Sequence, residues 1–424
     1  MGFKNLLLKF KKFSDCLLAL DIGTEFAKAV IFRIDLKSNR VVIKGVGRHR
    51  HKSSDISQGV ITDIMGVTDT CKIAISKAKN IGKCSPKKLI MGVGGELLKG
   101  YSNSFVYKRD DPEKEIDLSE FKNIVQKAQW KALDNIRESF LWETARQGAE
   151  VKLINADITD LRIDGYKVAN PLGFKGREIY LTIFNICAPL IHLSAFKKIS
   201  NLLNLKLANI VGNSYALNRA LNFENSFIII DIGGISTEII FIKNKEIISS
   251  KTFPIGGKSF TNALARKLGL DYFLAEDIKL KYTRNQLGLN ARKKIREILK
   301  EITLLWLNGV ELSLSEISSD SKISYSSPLP ERIFLCGGGA NLSEAKDALG
   351  GKFSNWYKNL PFSGIPEVKI ISADDISNIL DEKKLLCYPE DTILGCLASS
   401  GLDLVKEKNI SEQVLSQAIR IIQN

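Results

Sequence analysis

Two short stretches of this chain carry residues suited to holding a chain of phosphates. Asp21-Ile22-Gly23-Thr24 follows the apolar run Leu17-Leu18-Ala19-Leu20, and Asp231-Ile232-Gly233-Gly234 follows Phe227-Ile228-Ile229-Ile230, with Ser236 and Thr237 close behind. Phosphate has to be held by many donors at close range. A glycine turn between two strands lets backbone N–H groups converge with no Cβ in the way. Two such turns facing each other would clamp a triphosphate from both sides. The aspartate at each turn, Asp21 and Asp231, is suited to hold Mg²⁺, usually through water, because this ion keeps much of its hydration shell. A third glycine run, Gly337-Gly338-Gly339, would let an adenosine approach the backbone. One such turn alone is an ordinary tight hairpin. The matched pair, with the glycine triplet in order behind it, carries the inference.

The elements that must position these turns repeat. LLALDIGTEFAKAVIFRI, from Leu17, reads as a strand, a turn and a second strand in which Ala27, Ala29 and Ile31 alternate against Lys28, Val30 and Phe32. A third strand follows over 41–50, then an amphipathic helix over 66–80 that closes near Gly82. The same order returns from Phe227, with Asp231 in the place of Asp21, and ends in a helix over 258–268 before Gly269. A repeat this long means two related domains, because solenoid periods are about 20–50 residues.

Between the copies lies a block of different character, 88–187, read as an α+β insertion. It holds strand-like LIMGVGG, a charged turn at Lys108-Arg109-Asp110-Asp111-Pro112, a helix from Leu118 to about Asn135, and strands with turns at Asp164-Gly165, Asn170-Pro171 and Lys175-Gly176. A helix is expected over 188–208, a Ser-rich surface loop over 312–328, and a last helix over 410–423. That last helix carries Ile410, Val414, Leu415, Ala418, Ile421 and Ile422 on one apolar face. The organisation expected is a basic segment at 1–16, a first domain in two parts (17–87 and 188–223) around the insertion, and a second domain at 224–380. The chain then returns to the first domain at 381–401 and ends in a linker and helix at 402–424.

Composition bounds the rest. The chain has 424 residues, 44% apolar and 25% charged, with a formal charge of +14, the balance of a globular protein of two or three folding units. No run of apolar residues is long enough to cross a membrane as a helix. Seven cysteines at irregular spacing, none in a CxxC pair, read as reduced thiols, with Cys16, Cys187 and Cys336 as buried packing residues. The three histidines, His49, His51 and His192, make a His-based metal centre improbable, two of them lying in one basic loop. Residues 1–13, MGFKNLLLKFKKF, place Phe3, Leu6, Leu7, Phe10 and Phe13 at helical spacing against a mostly basic face. That pattern suits a helix lying in a membrane interface, or a loose first helix packed on the domain. No basic–aromatic groove pattern for nucleic acid is visible beyond it.

These residues resemble the FtsA family of bacterial cell-division proteins, within the actin-like ATPase superfamily. DIGT at 21–24 matches the first phosphate turn of that family, and Gln58-Gly59-Val60-Ile61-Thr62-Asp63 is similar to its G-V-x-x-x-D segment. Asn170-Pro171-Leu172-Gly173-Phe174-Lys175-Gly176 is similar to its N-P-x-G-x-x-G element, and Pro254-Ile255-Gly256-Gly257 and Ala275-Glu276-Asp277-Ile278-Lys279 follow its order. The resemblance covers about 17 to 400. It implies two actin-like (ribonuclease-H-like) domains around an ATP cleft, with an FtsA-type subdomain inserted in the first and a further subdomain near 261–325. It also implies ATP with Mg²⁺ as cofactor. Asp21, Gly23 and Thr24 would meet phosphates and metal from one side, and Asp231, Gly233, Gly234, Ser236 and Thr237 from the other. Glu276 and Lys279 would touch the adenosine, and Gly337, Gly338 and Gly339 its base and ribose. The implied partners are FtsZ, further copies of the chain in a filament, and the inner face of the cell membrane at the division site. Nucleic acid is not among them.

Two departures matter. Ile235 stands where a third glycine is common in the second turn, and Glu238 where Asp is usual. The stretch Asn213-Ser214-Tyr215-Ala216 offers no Glu or Gln to orient a hydrolytic water, so ATP binding with slow or absent turnover is expected. The family anchors through a C-terminal amphipathic helix. Here that helix has one basic residue, Arg420, and residues 1–13 have the better composition for lipid. Two other functions stay open: a PilM-like scaffold for pilus assembly, and a small-molecule kinase of the same superfamily, for which Asp63 and Glu238 are the carboxylates to nominate.

Overall fold

The computed structural model describes residues 15–95, 98–144, 150–223, 225–319, 328–405 and 409–423; the basic amphipathic stretch 1–13 lies outside them. The chain opens as an antiparallel meander, β1 (Leu17–Ile22), β2 (Phe26–Asp35) and β3 (Arg40–Arg50). These residues alternate between a core packed on helices and a second covered face, so nearly all of β1 is buried. A small hairpin, β4 (Ile56–Ser57) and β5 (Val60–Ile61), turns at Gln58-Gly59, both at positive φ. Asp63 then caps α1 (Ile64–Gly82), accepting hydrogen bonds from the backbone N–H groups of Met65 and Gly66.

β6 (Lys88–Val93) runs parallel to β1 inside this first sheet. LIMGVGG was expected to open the insertion. Its buried run instead joins the first domain's sheet, paired in parallel with β1 on one edge and with β11 (Lys206–Gly212) on the other, an interior position whose faces are buried. The inserted sheet begins after it. β7 (Lys99–Lys108), β8 (Val151–Ile163), β9 (Tyr166–Lys167) and β10 (Glu178–Pro189) stand in the order β7-β10-β8-β9, packed on α2 (Leu118–Thr144). Buried Arg109 ties this subdomain together. It pairs with Glu120 at 2.7 Å and donates to the carbonyls of Lys114 and Gly176, the latter at the end of the Asn170–Gly176 element.

The chain returns through α3 (Leu190–Leu202), shorter than the helix expected over 188–208, and β11 (Lys206–Gly212) beside β6, followed by α4 (Asn213–Ala220). The second sheet repeats the first. β12 (Phe227–Ile232), β13 (Thr237–Lys243) and β14 (Glu246–Phe253) form the meander, followed by α5 (Gly257–Leu268), α6 (Tyr272–Thr283) and α7 (Leu289–Ser319). β15 (Arg332–Cys336) and β16 (Glu367–Ile370) add in parallel, with α8 (Ser343–Leu349) between them. The orders β3-β2-β1-β6-β11 and β14-β13-β12-β15-β16 are therefore equivalent, and β17 (Ile379–Leu380) pairs with β3 of the first sheet. Residues 312–319, expected as part of a Ser-rich loop, are the last turns of α7. Val310, Ser313, Leu314 and Ile317 are buried at helical spacing and outweigh the serine content; residues 320–327 lie outside the described residues.

α9 (Thr392–Ser399) is wholly buried in the first domain's core. α10 (Ile410–Gln423) lays Val414, Leu415 and Ala418 into the core of the inserted subdomain, against α2 and β8. Among the cysteines, Cys16 and Cys84 are joined as a disulfide, against the expectation of seven reduced thiols; their Cα atoms are 6.5 Å apart, a spacing that such a bond accepts. The start of β1 and the loop after α1 meet only in the folded chain, so spacing along the sequence gave no sign of the pair. His49 belongs to β3 and His51 is buried, rather than lying in a basic loop, and burial depresses the His51 pKa to about 4.

Candidate functional site

Each sheet ends its first two strands in a tight turn. Gly23 N–H donates to the Phe26 carbonyl at 3.1 Å, and Gly233 N–H to the Ser236 carbonyl at 2.9 Å. Both turns point into one cavity of about 610 Å³ between the two domains. Asp21, Gly23 and Thr24 line it from the first domain. Asp231, Gly233, Gly234, Ser236, Gly337, Gly338 and Gly339 line it from the second, as do Glu276 and Lys279. A volume of several hundred Å³ is the size class of a small-molecule or nucleotide site. Thr237 is the nominated residue that does not reach the cavity. It is fully buried, its hydroxyl donating to the Ile255 carbonyl and accepting from Trp306 Nε1.

Glycine is required at two of these positions. A Cβ on Gly234 would collide with Thr24 Oγ1, so the two turns touch through that pair. Gly337 has φ +84°, and a Cβ there would strike the Asp231 carboxylate. The triplet is held in place by the segment before α9: Gly337 N–H donates to the Pro389 carbonyl, and Asn341 Nδ2 donates to Glu390 Oε2 at 2.7 Å.

The cleft floor has unequal halves. On β1–β2, Asp21 is opposite Lys28, whose Nζ lies 3.4 Å from Asp21 Oδ2 and donates to the Glu390 carbonyl at 2.8 Å. On β12–β13, Asp231 is opposite Glu238. Burial raises the Asp231 pKa to about 6, with Lys28 opposing and Asp21 assisting. Burial, and then the charge of Asp231, raises that of Glu238 to about 8, with the Ser214 hydrogen bond opposing. Glu238 therefore holds its proton at neutral pH. Asn213 also lines the cavity, and its buried Oδ1 has no hydrogen-bond partner among the described residues.

Glu276 and Lys279, also in the lining, form a buried pair on one face of α6, 2.8 Å apart. Thr261 donates to Glu276, and Lys279 Nζ donates to Thr261 Oγ1 at 2.7 Å and to the Gly257 carbonyl at 2.9 Å. Asp63, nominated as a kinase base, caps α1 and is absent from the lining of the cavity. The residues missed from sequence include Lys28 and those that cross the cleft, Glu25, Arg50, Lys258 and Tyr272. Of these, only the Gly256-Gly257-Lys258 start of α5 has a local signature, a cation at a helix N-terminus next to paired glycines.

The donor set fits a magnesium-bound nucleotide. Asp21, Asp231, Lys28, the two glycine turns, the Glu276–Lys279 pair and the Gly337–Gly339 run all line the one cavity, and the buried Thr24 hydroxyl has no hydrogen-bond partner among the described residues.

A family profile described as "Cell division protein FtsA" matches residues 228–366. FtsA of Streptococcus pneumoniae is 23% identical over 339 residues, spanning 76% of this chain and 70% of that protein. FtsA of Pseudomonas aeruginosa is 22% identical, spanning 63% and 60%. Matches to the second and to several further relatives thus cover less than two thirds of those proteins' length. Among solved structures, the PilM-PilN type IV pilus biogenesis complex superposes with a TM-score of 0.61 at 17% identity, covering 91% of this chain and 98% of that one. The ethanolamine utilization protein EutJ from Carboxydothermus hydrogenoformans superposes with a TM-score of 0.50 at 14% identity, covering 91% and 90%. The sequence is similar to FtsA, and the fold is the two-domain actin-like α/β fold.

Proposed function

We propose that this chain is an ATP-binding, self-assembling cell-division protein of the FtsA type that tethers FtsZ filaments to the cytoplasmic face of the membrane. The observation that carries the reading is the convergence of two aspartate–glycine turns on one cavity, one from each sheet. In this reading Asp21 and Asp231 hold Mg²⁺, and Gly23, Thr24, Gly233, Gly234 and Ser236 bind phosphate. Glu276, Lys279 and Gly337–Gly339 receive the adenosine. Mg²⁺, when bound, neutralises phosphate charge. With Glu238 protonated and no Glu or Gln in the stretch Asn213–Ala216 to orient a water, turnover is slow or absent. The similarity to FtsA supports FtsZ as partner, and residues 1–13 supply lipid affinity by their composition.

Calorimetry of the full chain with Mg·ATP, with and without EDTA, tests the cofactor; absence of heat rejects it. Co-sedimentation with anionic liposomes, comparing the full chain with one lacking residues 1–13, tests the anchor; equal binding rejects it. A second reading, a PilM-like scaffold for pilus assembly, is favoured by the near-complete coverage of the PilM-PilN structure's chain. Pull-down with an FtsZ C-terminal peptide against a pilus-protein cytoplasmic tail separates the two.

A further inference from the structure

We propose that Glu25 acts as a built-in anion that latches the cleft shut in the nucleotide-free protein and must be displaced by the phosphates of an incoming nucleotide. The inference rests on the nucleotide-binding reading above and adds how access to that site is controlled. Glu25 is the residue after the first phosphate turn, on the first domain, and its carboxylate is held from both domains, by Arg50 on β3 and by Lys258 across the cleft. Oε1 lies 2.7 Å from Lys258 Nζ, at the first turn of α5, and 3.5 Å from the Tyr272 hydroxyl, while Oε2 lies 2.6 Å from Arg50. Lys258 is fixed at the second turn, because its backbone N–H donates to the Gly234 carbonyl at 2.7 Å.

The latch is continuous with a second contact. The Arg50 guanidinium sits 5.8 Å from the Phe26 ring on its own domain, and 5.9 Å and 5.5 Å from the Tyr272 and Phe273 rings across the cleft. Thr24 meets Gly234 directly beside it. A phosphate turn is a place where converging amides favour an anion, and Glu25 brings a fixed one. Burial pushes its carboxyl pKa up, but the hydrogen bonds and charges of Lys258 and Arg50 outweigh that and hold it below the ordinary value, so it is ionised at neutral pH. Two anions cannot share the same cations at close range without strong repulsion. A polyphosphate that enters therefore takes Lys258 from Glu25, the carboxylate swings out, and the turns can separate far enough to admit it.

The test titrates the full-length chain with Mg·ATP and, separately, with magnesium tripolyphosphate, comparing wild type, Glu25→Gln and Lys258→Met. Thermal melts establish that each variant is folded. Removing the charge of Glu25 should tighten binding of both probes by about tenfold or more, and Lys258→Met should weaken it by about as much. Hydrogen exchange of the nucleotide-free proteins is the second readout: amides of 23–26 and 257–260 should exchange faster in both variants than in wild type. If wild type binds ATP and Glu25→Gln binds equally or more weakly, the latch is overturned while the nucleotide reading stands. If neither wild type nor Glu25→Gln binds either probe, the nucleotide reading fails; unchanged exchange then also overturns the latch, whereas faster exchange leaves it as a cross-cleft tie with no role in phosphate entry, which overturns the proposal as stated. Binding gained only in Glu25→Gln supports it most directly.

Discussion

Asp231 faces Glu238 across the β12–β13 ladder in the register position that Asp21 holds against Lys28 on β1–β2. The two halves of the cleft thus share a backbone plan and differ in charge. One aspartate is neutralised by a cation; the other lies beside a second, protonated acid. The second turn is the costlier of the two to keep ionised without a ligand, because burial opposes the charge of both acids there.

Asp231→Asn follows from that asymmetry. The amide removes a buried carboxylate that faces an acid rather than a cation across its ladder, so the unliganded protein should keep or gain stability, with a melting temperature unchanged or raised by about 2 °C. If Asp231 holds Mg²⁺ as proposed, the same change should lower Mg·ATP affinity at least about tenfold in calorimetry. A loss of stability equal to that of a core mutation would mean that the carboxylate serves packing.

The C-terminal helix gives a second prediction. Leu415 is buried with Val414 and Ala418 between α2 and β8, and Glu412 ties the helix to Arg219 on α4 at 2.9 Å. Leu415→Ala should cost about 2–3 kcal/mol, read as a lowered urea midpoint. Leu415→Asp should undock α10 and make the inserted subdomain sensitive to protease. A helix held only by lipid would show neither effect.

The junction around Arg219 predicts a pH dependence. Asp157 on β8, Glu246 on β14, Asp403 before α10 and Glu412 on α10 surround Arg219 and Tyr215, with Lys167 further out. Burial, reinforced by Glu412 and Asp403 against the pull of Arg219, raises the Asp157 pKa to about 7. Burial and Asp157 raise that of Glu246 to about 7 as well, with Arg219 and Lys167 opposing. Both values lie above those of the unfolded chain, so the native state binds more protons between about pH 4 and 7. Stability from this junction is present at the acid end of that window and is lost as pH rises through about 7. Asp157→Asn should flatten the decline and raise the melting temperature at pH 8 by roughly 2 °C. An unchanged pH profile would remove Asp157 from the account.

Legibility from sequence followed how local each signal is. The two Asp-Ile-Gly turns and their meanders could be read because each hairpin writes its pattern within about thirty contiguous residues. β6 was assigned to the wrong unit because its parallel partners, β1 and β11, are distant in the chain. The end of α7 was hidden by serines, although Leu314 and Ile317 keep the helical spacing. Glu25, Arg50 and Lys258 were invisible as a group, since nothing in their separate neighbourhoods states that the three meet.

The Cys16–Cys84 bond has a mechanical consequence. Any tension applied to the chain ahead of β1 enters the fold at Cys16 and divides there between the strand and the end of α1. Peeling β1 out of the sheet one residue at a time is blocked while the sulfurs are joined, and the whole strand–helix unit must bear the load together. Reduction would turn that rivet back into a seam.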